Sequence, residues 1–359
     1  MQISNTRVRE LKNVICGQPF WRFEINNLGD IYSCCPDWLP VKIGNITEVS
    51  LLRAYHSEAA QKIRESIRTG NYSYCDRNQC SHLNAYLSTG MIRPPFFRAE
   101  QQSILENKIA EKKISIMLGY DRSCNLRCPS CRNELILLSD SNIPELLRQV
   151  HEASVKSIFD LLQEGYSVHL NIAGSGDAFA SPLYGNFLRS LDFHPNLLLD
   201  LQTNGVLMDE THFTEPMLRM LREMIVSVDA ATADTYNRVR RGGNLELVKK
   251  NVAWLAKQVA LGKTAQLELF QVNLIVQKEN YKEIPDFIGW ATKHRPAINS
   301  IWFHLIQHWG HMNQMEFSDK AIWQTTHPEH ENFLRVLRNP ILKENPAVSL
   351  GNLAPFVYR

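Results

Sequence analysis

No stretch of the chain approaches the roughly 20 consecutive apolar residues that a membrane-spanning helix needs, and residues 1–10 are polar and charged with no apolar core behind them. A soluble, unexported, cytoplasmic protein is the expectation. An excess of one charge is also missing, with 39 basic residues against 37 acidic ones, so the overall balance gives no footprint for nucleic acid. Internal repeats and low-complexity tracts are absent. Cysteine is scarce, with eight in 359 residues and none after residue 131. That is too few for a disulfide scaffold, and in a reducing compartment clustered cysteines more often bind metal or do redox chemistry.

What is present suits a globular chain: 44% hydrophobic and 21% charged residues supply a large core, with room for one large domain and a smaller one. Near the start, Trp21, Phe23 and Ile25 alternate with Arg22 and Glu24, and turn residues Asn26-Asn27-Leu28-Gly29-Asp30 precede Ile31-Tyr32-Ser33-Cys34. This reads as a hairpin. Residues 50–69 read as a helix with Leu51, Leu52, Tyr55, Ile63 and Ile67 on one face and Gly70 as its C-cap. Arg93-Pro94-Pro95 and the polar run 100–113 resemble a linker, which places a domain boundary near residue 110.

Beyond it, short apolar strands alternate with amphipathic helices, the pattern of a parallel α/β sheet or barrel. Six strands are expected, at 114–118, 168–173, 197–202, 224–228, 267–276 and 301–306. Helices are expected from Pro144 to Gly165 and around 183–191, 216–222, 244–261 and 281–292. Six units fall short of the eight of a closed barrel, so a partial (β/α)6 TIM-like barrel fits. The expected division is a small α+β N-terminal domain with its linker over 1–110, a partial barrel over 111–310 and a C-terminal extension over 311–359.

Directly after the first barrel strand comes Cys124-Asn125-Leu126-Arg127-Cys128-Pro129-Ser130-Cys131, a CxxxCxxC loop. Three thiolates within eight residues can ligate three irons of a cubane and leave the fourth iron open. A structural zinc site normally wants four closed ligands and a CxxC spacing, and no histidine or fourth cysteine lies close by in sequence.

These residues resemble the radical S-adenosylmethionine (radical SAM) superfamily, whose hallmark is this spacing in the loop after the first strand of a partial barrel. The residue before the third cysteine is usually aromatic there and packs near the adenine. Here it is Ser130, so adenine packing comes from elsewhere.

The resemblance continues at later strand ends. Gly174-Ser175-Gly176-Asp177 stands where the family binds the methionine ammonium, and a carboxylate or carbonyl suits a cation. Gln202-Thr203-Asn204-Gly205 is similar to a common Thr-Asn-Gly stretch, and Ser227-Val228-Asp229 closes the fourth strand. In related enzymes, residues at the positions of Ser227 and Arg240 bind the methionine carboxylate. An exposed helix-end cation is the other reading of Arg240.

Among the earlier cysteines, Cys16, Gly29 and Cys34 are followed by Cys75 and Cys80. Their spacing resembles the auxiliary-cluster module SPASM, or its shorter twitch form. The module usually follows the barrel but here precedes it, and the cysteines of a second auxiliary cluster are missing. One auxiliary 4Fe-4S cluster held by Cys16, Cys34, Cys75 and Cys80 is the expectation. A four-cysteine zinc knob is the alternative. Cys35 is left over, either as a buried small hydrophobe, a substitute ligand or a hydrogen-atom donor.

The resemblance implies that a reduced cluster cleaves S-adenosylmethionine to a 5′-deoxyadenosyl radical that abstracts a substrate hydrogen, with a reductant such as flavodoxin or ferredoxin. It further implies a peptide or small-molecule substrate: a ribosomally made peptide undergoing crosslinking, epimerisation or oxidation, or else a sugar, aminoglycoside or nucleotide-linked molecule. A non-catalytic, zinc-stabilised binding protein is the reading from another class. Substrate contacts are expected from Trp302, His304, His308 and Trp309, with His304 and Cys35 as the catalytic candidates.

Overall fold

The computed structural model describes residues 10–77, 79–92, 95–101, 103, 109, 111–172, 176–308 and 310–358. Gly174, Ser175, Trp309, Arg93-Pro94 and part of the polar run 100–113 lie outside the described residues. The fold is mixed α/β with parallel strands, and contacts gather the chain into two compact units. One comprises residues 1–121 and 143–171, the other residues 122–142 and 172–359.

In the first unit, the Asn26 side chain accepts from the backbone N–H groups of Leu28 and Asp30, both at 3.0 Å, and Gly29 adopts φ +79°. A Cβ at Gly29 would lie 2.9 Å from Asn45 Oδ1, so this turn demands glycine twice over. It folds β2 (Arg22–Ile25) against β3 (Asp30–Tyr32), antiparallel as the alternating pattern predicts. Phe23 and Ile25 are buried, while Arg22 and Glu24 stay partly open on the other face.

The other edge of β2 pairs in parallel with β6 (Lys113–Leu118), and β7 (Ser167–Ile172) lies next to β6. The strand before the CxxxCxxC loop therefore sits in one unit with the N-terminal hairpin. A separate antiparallel pair joins β1 (Val14–Cys16) to β5 (Phe96–Arg98).

The single helix expected over 50–69 is two, α1 (Leu51–Tyr55) and α2 (Glu58–Arg68). Ser57 is a second N-cap, accepting from the Ala60 N–H, and its extended backbone interrupts the helical hydrogen bonds. Helix α3 (Ser81–Thr89) starts at Cys80, and α4 (Glu145–Gln163) starts after Pro144.

The second unit carries β8 (Leu197–Thr203), β9 (Leu221–Ser227), β10 (Leu269–Val276), β11 (Ser300–Leu305) and β12 (Val348–Ser349), each parallel to its neighbour in that order. Strand β9 begins at Leu221 rather than 224 because Leu221 pairs with Leu199, ahead of a register shift between Leu199 and Asp200. Helices α5 (Pro182–Ser190), α6 (Glu215–Met220), α7 (Ala233–Val239), α8 (Leu245–Ala260) and α9 (Ile284–Thr292) lie between the strands in sequence.

On β11, Ile301, Phe303 and Leu305 are buried, with Phe303 edge-to-face on Phe287 of α9 at 6.1 Å. Alternation leaves Trp302 and His304 half-buried on the opposite face. The segment after 310 contributes β12 to this sheet, and Asn352 Oδ1 accepts the Leu305 N–H at 2.8 Å. No helix among the described residues is long and apolar enough to cross a membrane.

Candidate functional sites

Between Cys124 and Cys131 the loop is pinned by its own backbone. The Cys124 N–H donates to Ile136 O at 2.7 Å, and the N–H groups of Cys131 and Arg132 both donate to Cys128 O. Leu126, fully buried, packs with Cys124, Cys128 and Val206, an anchoring role that the spacing alone does not reveal. Each sulfur faces a nitrogen donor: Asn204 Nδ2 at Cys124, Arg240 Nη1 at Cys128 and Arg132 Nη2 at Cys131, each at 3.7 Å. Burial pushes the Cys124 and Cys128 thiols up, and Arg240 opposes the shift at Cys128.

Asp177 lies against this loop, its N–H donating to Ser123 O at 2.8 Å. Its carboxylate does not stand open to an ammonium. Oδ1 accepts the N–H groups of Phe179 and Ala180, and Oδ2 accepts the Thr203 hydroxyl at 2.8 Å and the Asn204 N–H at 2.7 Å. Four internal donors make Asp177 a brace between two strand ends. Gly176 beside it is half-buried.

Asn204 carries that brace to the cysteine loop, donating through Nδ2 to Asn125 Oδ1 at 2.8 Å. The tight turn behind it needs Gly205, at φ +80° with Val226 and Val248 where a Cβ would go. Asn251 of α8 fastens it by donating to Gly205 O and Val206 O, both at 2.9 Å.

Ser227 ends β9 opposite Asn273. Two residues on, Asp229 takes φ +64° and is 1% exposed. Its Oδ1 accepts the Ile275 N–H, and its Oδ2 pairs with Arg240 Nη2 at 2.7 Å. Arg240 is thus a paired guanidinium with only 13% of its side chain exposed, and not a solvated helix-end cation. Its Nε and the hydroxyl of Tyr236 are buried with no hydrogen-bond partner among the described residues. Burial raises the Tyr236 pKa, and Arg240, Cys128, Asp229 and Asp177 all lie in its electrostatic surroundings. Unpaired buried donors beside Cys128 fit a polar group held against the loop.

In the first unit, Cys16, Cys34, Cys75 and Cys80 lie within electrostatic range of one another. Burial pushes the Cys16 thiol up, and the sulfurs of Cys34, Cys75 and Cys80 push it further. The Cys75 thiol is pushed up to about 12 by burial and then by Cys34 and Cys80. Thiols whose neighbouring sulfurs disfavour ionisation are compatible with ligation to a cation. Tyr72 ties two of the segments together, donating to Val14 O at 2.9 Å and accepting the Cys16 N–H at 3.1 Å. Cys80, at the N-terminus of α3, has its burial partly offset by the N–H groups of Leu83 and His82.

Cys35 differs from this set. Its sulfur lies 3.7 Å from Asp37 Oδ2, and burial followed by the Glu24 carboxylate pushes its thiol up to about 12. In the second unit, His304 stacks on Trp302 with centroids 4.8 Å apart and planes 10° from parallel, and burial lowers its pKa. Among the described residues no three His, Cys, Asp or Glu side chains converge as on a single metal ion. A cubane spreads its ligands over separate irons and asks for a wider arrangement.

Residues 16–81 match the family model of SPASM, an iron-sulfur cluster-binding domain. No curated protein matches the chain. Among solved structures, the crystal structure of Streptococcus suis SuiB bound to precursor peptide SuiA aligns with 94% of this chain and 71% of that chain, at 11% identity and a TM-score of 0.42.

Proposed function

We propose that the chain is a radical S-adenosylmethionine enzyme with one auxiliary 4Fe-4S cluster, acting on a ribosomally made peptide by crosslinking, epimerisation or oxidation. The observation that carries this reading is the CxxxCxxC loop, with a nitrogen donor at each sulfur and unpaired buried donors beside it. The SPASM match over 16–81 supports the auxiliary cluster over a zinc knob, and such a module is most often seen with peptide substrates. The strands β6 to β11 are then the six strands of a partial barrel, with residues 1–110 as the auxiliary module and 311–359 as an extension.

In this reading Cys124, Cys128 and Cys131 hold the reactive cluster, and Cys16, Cys34, Cys75 and Cys80 hold the auxiliary one. A cluster held by Cys124, Cys128 and Cys131, reduced by a donor such as flavodoxin or ferredoxin, would supply the one electron for reductive cleavage of S-adenosylmethionine to methionine and a 5′-deoxyadenosyl radical. The protein's own work is positioning. Ser227 and Arg240, the latter oriented by Asp229, hold the methionine carboxylate. Gly174, Ser175 and Gly176 take the ammonium, while Asp177 and Asn204 fix the loop. His304 and Trp302 line the substrate side, and Cys35 is the candidate hydrogen-atom donor.

Anaerobic reconstitution tests this proposal directly. A brown protein that forms 5′-deoxyadenosine from S-adenosylmethionine after reduction supports it. A colourless protein that takes up zinc but no iron overturns it. Cys35→Ala that leaves product formation unchanged removes the hydrogen-donor role.

A further inference from the structure

Trp38 follows the adjacent cysteines by a few residues and was singled out by no motif. Its indole Nε1–H donates to Cys34 Sγ at 3.3 Å. The Trp38 backbone is held from both sides: its N–H donates to Cys35 O at 3.3 Å, and its carbonyl accepts the Asp76 N–H at 2.7 Å. This second bond links the Cys34 loop to the segment carrying Cys75 and Cys80.

Resting on the reading of Cys34 as an auxiliary-cluster ligand, we propose that Trp38 sets the reduction potential of that cluster through its N–H···S bond. Reduction adds negative charge that is shared by the ligand sulfurs, so a donor aimed at one of them favours the reduced form and raises the potential. Trp38 is a positioning and tuning residue, with no contact to substrate required.

The experiment is a redox titration of the reconstituted full chain, followed by electron paramagnetic resonance, for wild type and Trp38→Phe. The variant keeps an aromatic ring and removes the donor. A more negative midpoint for the auxiliary cluster alone, with iron content retained, supports the proposal, and an unchanged midpoint with iron retained overturns it. Wild-type protein that holds no auxiliary iron overturns the ligand reading itself. Should Trp38→Phe not retain its iron, 15N-labelled tryptophan in the wild type decides: hyperfine coupling between the reduced cluster and an indole nitrogen supports the bond, and no coupling overturns it.

Discussion

Asp229 and Arg240 form a buried ion pair, 2.7 Å between Oδ2 and Nη2, and the same guanidinium reaches Cys128 Sγ at 3.7 Å. One carboxylate thereby orients the cation that faces a proposed iron ligand. Asp229→Asn leaves this guanidinium buried without its counter-charge and should cost about 3–5 kcal/mol in urea unfolding. Asp229→Asn combined with Arg240→Met should recover much of the loss. A double variant as unstable as the sum of the two single ones would show that the pair is not coupled.

Gly205→Ala should destabilise the second unit by about 1–3 kcal/mol, because φ is +80° and the new Cβ would lie 2.8 Å from Val226 Cγ1. Gly262→Ala is the comparison. Its φ is +71° but nothing lies within 4 Å of the added carbon, so only the backbone cost of about 1 kcal/mol remains. Thermal unfolding that ranks the two in the opposite order would contradict this packing.

Replacing Cys124, Cys128 and Cys131 together by Ala should abolish 5′-deoxyadenosine formation and remove one cluster's iron, leaving the cluster of Cys16, Cys34, Cys75 and Cys80. Iron analysis and Mössbauer spectra measure the two losses separately. Loss of all iron from that variant would mean that the two sets of cysteines do not bind independently.

Tyr72→Phe deletes the hydroxyl shared by Val14 O and the Cys16 N–H. Both backbone groups lose a partner, at a cost of about 1–3 kcal/mol. Auxiliary iron should also be lost faster to a chelator than in wild type, which kinetic chelation reads directly.

His151 provides the pH test. Burial lowers its pKa, partly offset by Asp121, and the Tyr120 hydroxyl lies 2.9 Å from Nδ1. The folded state thus favours the neutral ring. Its contribution to stability is complete above the unfolded histidine value of about 6.5 and disappears as pH falls through the lower folded value. Wild type should lose more stability than His151→Asn between pH 7.5 and pH 5, by urea unfolding at each pH. Equal losses would rule out this linkage.

Alternation and turn chemistry are local, so the strands β6 to β11 and the β2–β3 hairpin were legible from the chain itself, while the short strands β1, β5 and β12 were not. The helix break at Ser57 was signalled only by one serine inside an otherwise helical pattern. Side-chain roles were less accessible. Asp177 reads as a free carboxylate until Thr203 and Asn204 are folded onto it. Tyr72, 56 residues from Cys16, and Tyr236, beside the cysteine loop, carry no spacing signal. Asn251 looks like one polar residue on a helix until it meets the Gly205 turn. Such contacts depend on tertiary proximity, which a linear pattern does not encode.

The parallel pairing of β2 with β6 makes the N-terminal segment hard to detach. A truncation that begins the protein near residue 110 would leave Lys113–Leu118 with a row of bare peptide groups where Arg22–Ile25 had been, on a strand whose Ile114, Ile116 and Leu118 are fully buried. Such an edge invites pairing between molecules. Shortened versions of this protein should therefore clump before they can be assayed.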